Sequence, residues 1–366
     1  MLKQLNVAIV YNVKPEESNE ESGDDDKRSE LNGETISVAA RTRVKKTKAD
    51  TYAEWDSLDT ILAVKAALET HHSVALIEAN EDAFSKLLLL QPEIVFNLAE
   101  GLRGASREAQ IPAVLEMLGI PFTGSDALTL GICLDKSRTK EILAFHKIPT
   151  AEFSVVDSLH ELTRCTVPLP AIVKPLHEGS SKGVLDASVV RTKDELVEQV
   201  KRVLTEYEEP ALVEKYLPGR EFTVALLGNG DQVRVLPIIE LRFDLLPKGA
   251  NPIYSYEAKW KWDTLDHPIG DMYTCPADLA PELENLIKDV CTKAFRILRC
   301  RDWCRIDIRL DELGNPNIIE LNPLPGILPN PEDHSSFPMA ARKAGMNYGQ
   351  TLNAVLNEAA HRHQLL

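Results

Sequence analysis

Three short β-branched runs, Val7-Ala8-Ile9-Val10-Tyr11, Ser73-Val74-Ala75-Leu76-Ile77 and Glu93-Ile94-Val95-Phe96-Asn97, alternate with helical patterns, and this alternation restricts the fold more than any other feature. Strands that follow one another with a helix between them pair in parallel, and the helices wind over the faces of the sheet. A cap at Asp56-Ser57-Leu58 opens the first helix, in ILAVKAAL, and a further helix is expected from about Glu108 to Leu118. Residues 14–50, by contrast, are polar, with an acidic block followed by a basic one, which predicts a mobile insert. A partner-binding segment and an idle surface loop fit its composition equally.

Beyond Pro149 strands alternate with single helices and no longer repeat the earlier unit. AEFSVV, AIVKPL and ALVEKYL read as strands around a helix from about Asp194 to Leu204. FTVALLG, VRVLPIIEL, RIDIRL and NIIELN form a later group, with a Tyr- and Trp-rich loop and a helix from about Ala280 to Leu298. The stretch ALTLGICLDKSRTKEILAFH reads as helical, and TLNAVLNEAAHRH as an amphipathic helix covering the sheet. A chain of 366 residues is long enough for two or three compact units.

Composition limits the partners. With 56 acidic against 41 basic residues, the formal charge of −15 argues against general affinity for nucleic acid or for an anionic membrane. No apolar run reaches the ~18 residues a membrane span needs, and the start lacks the pattern of a secretory signal, so a cytoplasmic protein is expected. The six cysteines match no zinc or redox spacing and read as buried thiols.

Three segments carry the chemistry. In Ile172-Val173-Lys174-Pro175-Leu176-His177-Glu178-Gly179-Ser180-Ser181-Lys182-Gly183-Val184 a strand delivers a lysine and a Gly/Ser-rich loop follows, a combination that can converge on phosphate oxygens. Alone it reads better as an ordinary hairpin turn. In Arg305-Ile306-Asp307 and Glu320-Leu321-Asn322, period-2 alternation on neighbouring strands can set Asp307, Glu320 and Asn322 on one face as Mg²⁺ ligands, with Arg305 beside them to stabilise developing charge. A solvated hairpin face is the other reading. In Leu212-Val213-Glu214-Lys215-Tyr216-Leu217-Pro218-Gly219-Arg220-Glu221-Phe222 a polar linker joins two strands, either as a plain hinge or as the place where a nucleobase and ribose sit between two domains.

Together with Leu134-Asp135-Lys136, FTGS at 122–125, YEAK at 256–259 and the Glu-x-Asn-Pro-x-Pro-Gly turn ending at Gly326, these segments stand in the order of the ATP-grasp superfamily. The chain resembles the D-alanine–D-alanine ligase family over nearly everything from residue 55 onward. The resemblance implies an N-terminal parallel α/β domain (1–134) followed by two α+β ATP-grasp subdomains (135–213 and 214–366) that clasp ATP. It implies ATP with Mg²⁺ (or Mn²⁺), small amino-acid substrates and a homodimer. Lys136 and Lys174 resemble the lysines on the ATP phosphates; Glu178 and Ser181 lie in the phosphate loop; Glu214, Lys215, Tyr216 and Leu217 resemble the adenine hinge; and Glu221 resembles the ribose ligand. Asp307, Glu320 and Asn322 resemble the metal ligands, and Arg305 with the Gly326 backbone the oxyanion pair. Ser180 lies in the loop closing over substrate, Lys259 in the mobile loop that reaches the transferred phosphoryl group, and Ser335 and Ser336 where the second substrate's carboxylate is held.

The chain departs from the family at four places. The N-terminal glycine-rich signature with its substrate-binding glutamate is missing, and Glu54 or Asp56 is the replacement, unless these residues cap a helix. Glu100-Gly101 stands where the family has His-Gly, and Trp260 where it has tyrosine, both near the first substrate. The segment from Gly326 to Ser335 is longer than usual. The expected activity is ATP-dependent joining of D-alanine to D-alanine. A ligase for other amino acids and amines, and a nucleotide-binding regulator without turnover, are the alternatives.

Overall fold

The computed structural model describes residues 3–15, 51–262 and 272–366, apart from the side chains of Trp260 and Lys261, so nearly all of the polar 14–50 insert lies outside the described residues. The first unit is the expected parallel sheet, in the order β2-β1-β3: β1 (Asn6–Tyr11) lies between β2 (Ser73–Glu78) and β3 (Ile94–Leu98). Helices α1 (Leu58–Glu69), α2 (Ala83–Leu90) and α3 (Gln110–Leu118) complete it. Ser57 caps α1 by accepting from the Thr60 amide, so neither Glu54 nor Asp56 has a capping role.

The helical stretch after Ser125 is two helices, α4 (Ala127–Leu134) and α5 (Lys136–Phe145). Asp135 divides them: its backbone is extended, and its carboxylate accepts from the amides of Ser137 and Arg138, so it caps α5. That cap sets Lys136 at the first position of α5.

The middle sheet is antiparallel, in the order β4-β7-β5-β6, from β4 (Phe153–Val156), β5 (Ala171–Pro175), β6 (Val189–Val190) and β7 (Ala211–Lys215), with α6 (Lys193–Arg202) packed on β5. A third sheet follows, ordered β11-β10-β8-β12-β13 with β9 on β8. Its strands are β8 (Glu221–Leu227), β9 (Arg234–Val235), β10 (Ile239–Leu241), β11 (Tyr273–Thr274), β12 (Trp303–Leu310) and β13 (Pro316–Asn322). The run VRVLPIIEL is thus two short strands, because Pro237 offers no N–H to a ladder. Helix α7 (Pro281–Ile297) covers this sheet.

Helices α8 (Ser336–Lys343) and α9 (Tyr348–Arg362) return to the N-terminal unit, and α9 packs on α1. Trp303, fully buried, stands edge-on to Phe96 at 5.8 Å and to Phe337 at 5.4 Å, so one aromatic cluster joins the first sheet to the third. Arg362 strengthens the junction by pairing with buried Asp302 at 2.7 Å and donating to the Phe122 carbonyl. One face of the third sheet is therefore held opposite the middle sheet and the ends of β1 and β3.

Candidate active site

The third sheet presents a grid. Strand register sets Thr223, Asp307 and Glu320 side by side on β8, β12 and β13, with Ala225, Arg305 and Asn322 in the next row and Glu221 beside Arg309 in another. Because side chains alternate along a strand, residues 305, 307 and 309 all face the same way. Asn322 Nδ2 donates to Asp307 Oδ2 at 3.3 Å and to Glu320 Oε1 at 3.5 Å. Arg305 donates to both oxygens of Asp307, at 3.2 and 3.0 Å, and Thr223 Oγ1 donates to Oδ1 at 2.6 Å. Lys136 reaches Glu320 at 3.8 Å from the start of α5.

The donor set suits Mg²⁺ or Mn²⁺: two carboxylates converge with a carboxamide, whose oxygen, a hard ligand like theirs, a half-turn of the Asn322 amide would bring to a bound cation. Burial, partly offset by Arg305, raises the Asp307 carboxyl, and the neighbouring charge of Glu320 adds to this, a strain that a cation between them relieves. Two protein carboxylates leave room for phosphate oxygens to complete the shell.

The hinge between β7 and β8 is held by ion pairs. Glu214 is buried and bridges Lys140, at 2.5 Å, and Lys174. Burial alone would raise this carboxyl, but the two ammonium groups hold it at about 2. The amides of Lys215 and Tyr216 donate to the carbonyls of Glu152 and Pro170, so those two N–H groups are committed within the middle domain. Glu221 pairs with Arg309 at 2.7 Å, and Arg309 also reaches the Tyr216 hydroxyl at 3.1 Å.

The Gly/Ser loop carries two consecutive left-handed residues, Ser180 (φ 50°) and Ser181 (φ 59°), a conformation that costs non-glycine residues energy and needs outside support. That support is visible. Ser181 Oγ donates to the Tyr254 carbonyl at 2.9 Å, and Lys136 Nζ donates to the Glu178 carbonyl. Glu178 pairs with Lys182 at 2.6 Å and with Arg107 at 3.2 Å. Glu54 receives Arg107, Lys182 and the Gly179 amide, the last at 2.9 Å. A Cβ on residue 179 would lie 2.5 Å from Glu54 Oε1, so a side chain there would push the Glu54 carboxylate aside. The Glu54 carboxylate, expected as an ammonium ligand, is thus already engaged by four contacts from protein donors.

Ser335 Oγ donates to the Gly326 carbonyl at 3.0 Å and accepts from the Leu328 amide at 3.1 Å, which closes the long turn on itself. Ser336 opens α8 beside it. Lys259 lies on a π-helical turn, Ala258–Trp262, and burial followed by the nearby Arg305 lowers its ammonium to about 8. The side chain of Trp260 lies outside the described residues.

All of these elements line one cavity of about 910 Å³, which runs from the hinge past the Asp307–Glu320 face to Glu54, Asp56, Glu100 and Glu108. Among the residues that sequence reasoning did not single out, Thr223 and Arg309 follow from the same alternation as Glu221 and Asp307. Lys140 stands one helical turn after Lys136. Arg107 and Glu108 lie in a turn whose sequence carries no such signal.

The cysteines are free, four of the six buried. No helix among the described residues is long and apolar enough to cross a membrane.

Comparison with known proteins agrees with this geometry. Residues 142–357 match the family model described as D-ala D-ala ligase C-terminus. A D-alanine–D-alanine ligase of Bordetella avium is 37% identical over 270 residues, 73% of this chain and 78% of that protein. An uncharacterised protein of Sinorhizobium fredii is 36% identical over 82% of this chain and 87% of its own length. The crystal structure of the Bacillus anthracis D-alanine–D-alanine ligase complexed with ATP covers 99% of both chains at 20% identity, with a TM-score of 0.68, and so shares the fold. With a family model matched over more than half of its length and relatives this similar across most of it, the chain belongs to the D-alanine–D-alanine ligase family.

Proposed function

We propose that this protein is an ATP-dependent ligase that activates D-alanine as an acyl phosphate and joins it to a second D-alanine, releasing ADP and phosphate. The observation that carries the reading is the convergence of Arg305, Asp307, Glu320, Asn322 and Lys136 in a cavity that also takes in the hinge and the Gly/Ser loop. Relatives named D-alanine–D-alanine ligases support the choice of substrate.

A carboxylate is a poor acyl donor. An oxygen of the first D-alanine's carboxylate attacks the γ-phosphorus of ATP, and the bond from that phosphorus to the ADP oxygen breaks. The amine of the second D-alanine then attacks the acyl carbon, and the tetrahedral species collapses by expelling phosphate and losing a proton. In this reading Lys136 and Lys174 bear on the ATP phosphates, and Lys259 on the transferred group. Arg305, oriented by Asp307, and the Gly326 backbone face the developing oxyanion. Asp307, Glu320 and Asn322 would hold Mg²⁺ or Mn²⁺, which when bound screens the charge of the phosphate oxygens. Ser180 and Ser181 belong to the loop that excludes water from the acyl phosphate. Ser335 and Ser336 lie beside the second substrate's carboxylate.

The same reading takes residues 1–134, 135–213 and 214–366 as the three domains, and a cytoplasmic location. It includes a homodimer, supported by the exposed apolar face of α2, where Leu89 is 86% and Leu88 47% exposed. Light scattering on the purified chain tests the dimer.

The activity test is incubation with ATP, Mg²⁺ and single or paired amino acids, followed by phosphate release and product mass. Phosphate with D-alanine alone, together with the dipeptide mass, is the expected result. Phosphate only with other amino acids, or ATP binding without turnover, overturns the reading.

A further inference from the structure

At the end of the cavity beyond Arg305 and Lys259, four carboxylates gather: Glu54, Asp56, Glu100 and Glu108. They are not equivalent. Glu54 is saturated by Arg107, Lys182 and the Gly179 amide, and Asp56 feels the ammonium of Lys14. Glu100 and Glu108 have neither a hydrogen bond nor an ion pair to the protein among the described residues, and both line the cavity.

Their placement is rigid. Gly101 has φ +69°, and a Cβ there would lie 2.6 Å from the Arg107 carbonyl, so the Glu100-Gly101 turn is pressed directly against the Arg107-Glu108 turn. The Gly101 amide donates to Asn12 Oδ1 at 2.8 Å, and its carbonyl accepts from Trp55 Nε1 at 2.9 Å. The two turns that carry these carboxylates are thereby pressed together by backbone contacts, and no cation among the described residues is bonded to either. Burial pushes both carboxyls up; the charge of Glu108 adds to this at Glu100, and that of Glu54 at Glu108, which rises to about 8. Among the described residues only the nearby charges of Arg107 and, for Glu108, Lys136 oppose this rise, without a bond to either carboxylate, so the pair suits a bound cation.

The proposed function supplies one. An amino acid used as acyl donor is a zwitterion whose carboxylate must reach the cationic wall of Lys259, Arg305 and Lys136 at the phosphoryl-transfer point. Its ammonium then points away from those cations. Glu108 lies close enough to Lys136 and Glu320 for their charges to act on it, so the anionic pair borders the cationic wall directly. We propose that Glu100 and Glu108 together seat the ammonium group of the acyl-donor amino acid, a role that Glu54, saturated by its own ion pairs, does not fill. The inference rests on the ligase reading and adds the residues that select an α-amino acid as the first substrate.

Steady-state kinetics of the full chain with ATP, Mg²⁺ and D-alanine test it, using Glu100→Gln, Glu108→Gln and the double variant. Each single change is expected to raise KM for the first D-alanine by about 30-fold or more, the scale of losing one buried charge partner, with KM for ATP within about twofold. Propionate, which matches D-alanine in size but lacks the ammonium, serves as a competitor and is expected to inhibit native and variant proteins equally. An active native protein whose first-substrate KM is unmoved in the double variant overturns the inference alone. So does a parallel loss of affinity for D-alanine, propionate and ATP, which marks a merely structural role. A native protein that releases no phosphate with any amino acid overturns the ligase reading and this inference with it.

Discussion

One terminal nitrogen of Arg107 donates to both carboxylate oxygens of Glu54, at 2.9 and 2.8 Å, in a setting where both side chains are more than nine-tenths buried. The same two residues hold the Gly/Ser loop, Glu54 through the Gly179 amide and Lys182, and Arg107 through Glu178 and the His177 carbonyl. The N-terminal domain thus latches the loop over the cavity with fixed charges.

Arg107→Ala should release this latch. Removing one partner from a buried ion network leaves uncompensated charge, and about 3 kcal/mol of stability should be lost. Amide exchange should rise across residues 177–184 before it rises elsewhere. Unchanged protection in that segment would show that the loop is held by its own geometry.

Asp307→Asn keeps the side-chain shape and can still accept from Thr223, but removes one of the two carboxylates proposed to hold the metal. Turnover is expected to fall by at least ~100-fold with little change in melting temperature, since the loss falls on charge stabilisation in the transition state. Full activity at ordinary Mg²⁺ concentrations would remove Asp307 from the site.

Lys259 loses its charge as pH rises through about 8, because burial and Arg305 disfavour the ammonium. The pH profile of kcat/KM for ATP, which reports the free enzyme, should therefore fall on its basic side near pH 8. Lys259→Arg should carry that limb upward. A limb that stays in place assigns it to another group.

His177 lies between Glu209, at 3.0 Å, and Asp135, at 3.6 Å. Burial would lower its pKa, but hydrogen bonds to Asp135 and Glu209 raise it from 6.5 to about 9. A group raised on folding contributes stability fully below its unfolded value and loses it as pH rises through the folded one. The melting-temperature difference between native protein and His177→Gln should be largest below pH 6.5 and shrink toward pH 9. A constant difference would leave packing as the only role of the imidazole.

The sequence alone determined the parallel strand–helix alternation of the first unit and the face shared by Arg305, Asp307, Glu320 and Asn322. Those depend on local alternation and on neighbouring strands, and both can be read along the chain. Residues far apart in sequence were paired only by the tertiary structure. It joined Glu54 to Arg107 and Gly179, Glu214 to Lys140 and Lys174, and Glu221 to Arg309, so three carboxylates that read as ligand-binding groups are neutralised by cations from other elements. It also pressed Glu100 against the turn bearing Glu108. A carboxylate's availability depends on which cation folding brings within about 4 Å, and no periodicity along one strand encodes that distance.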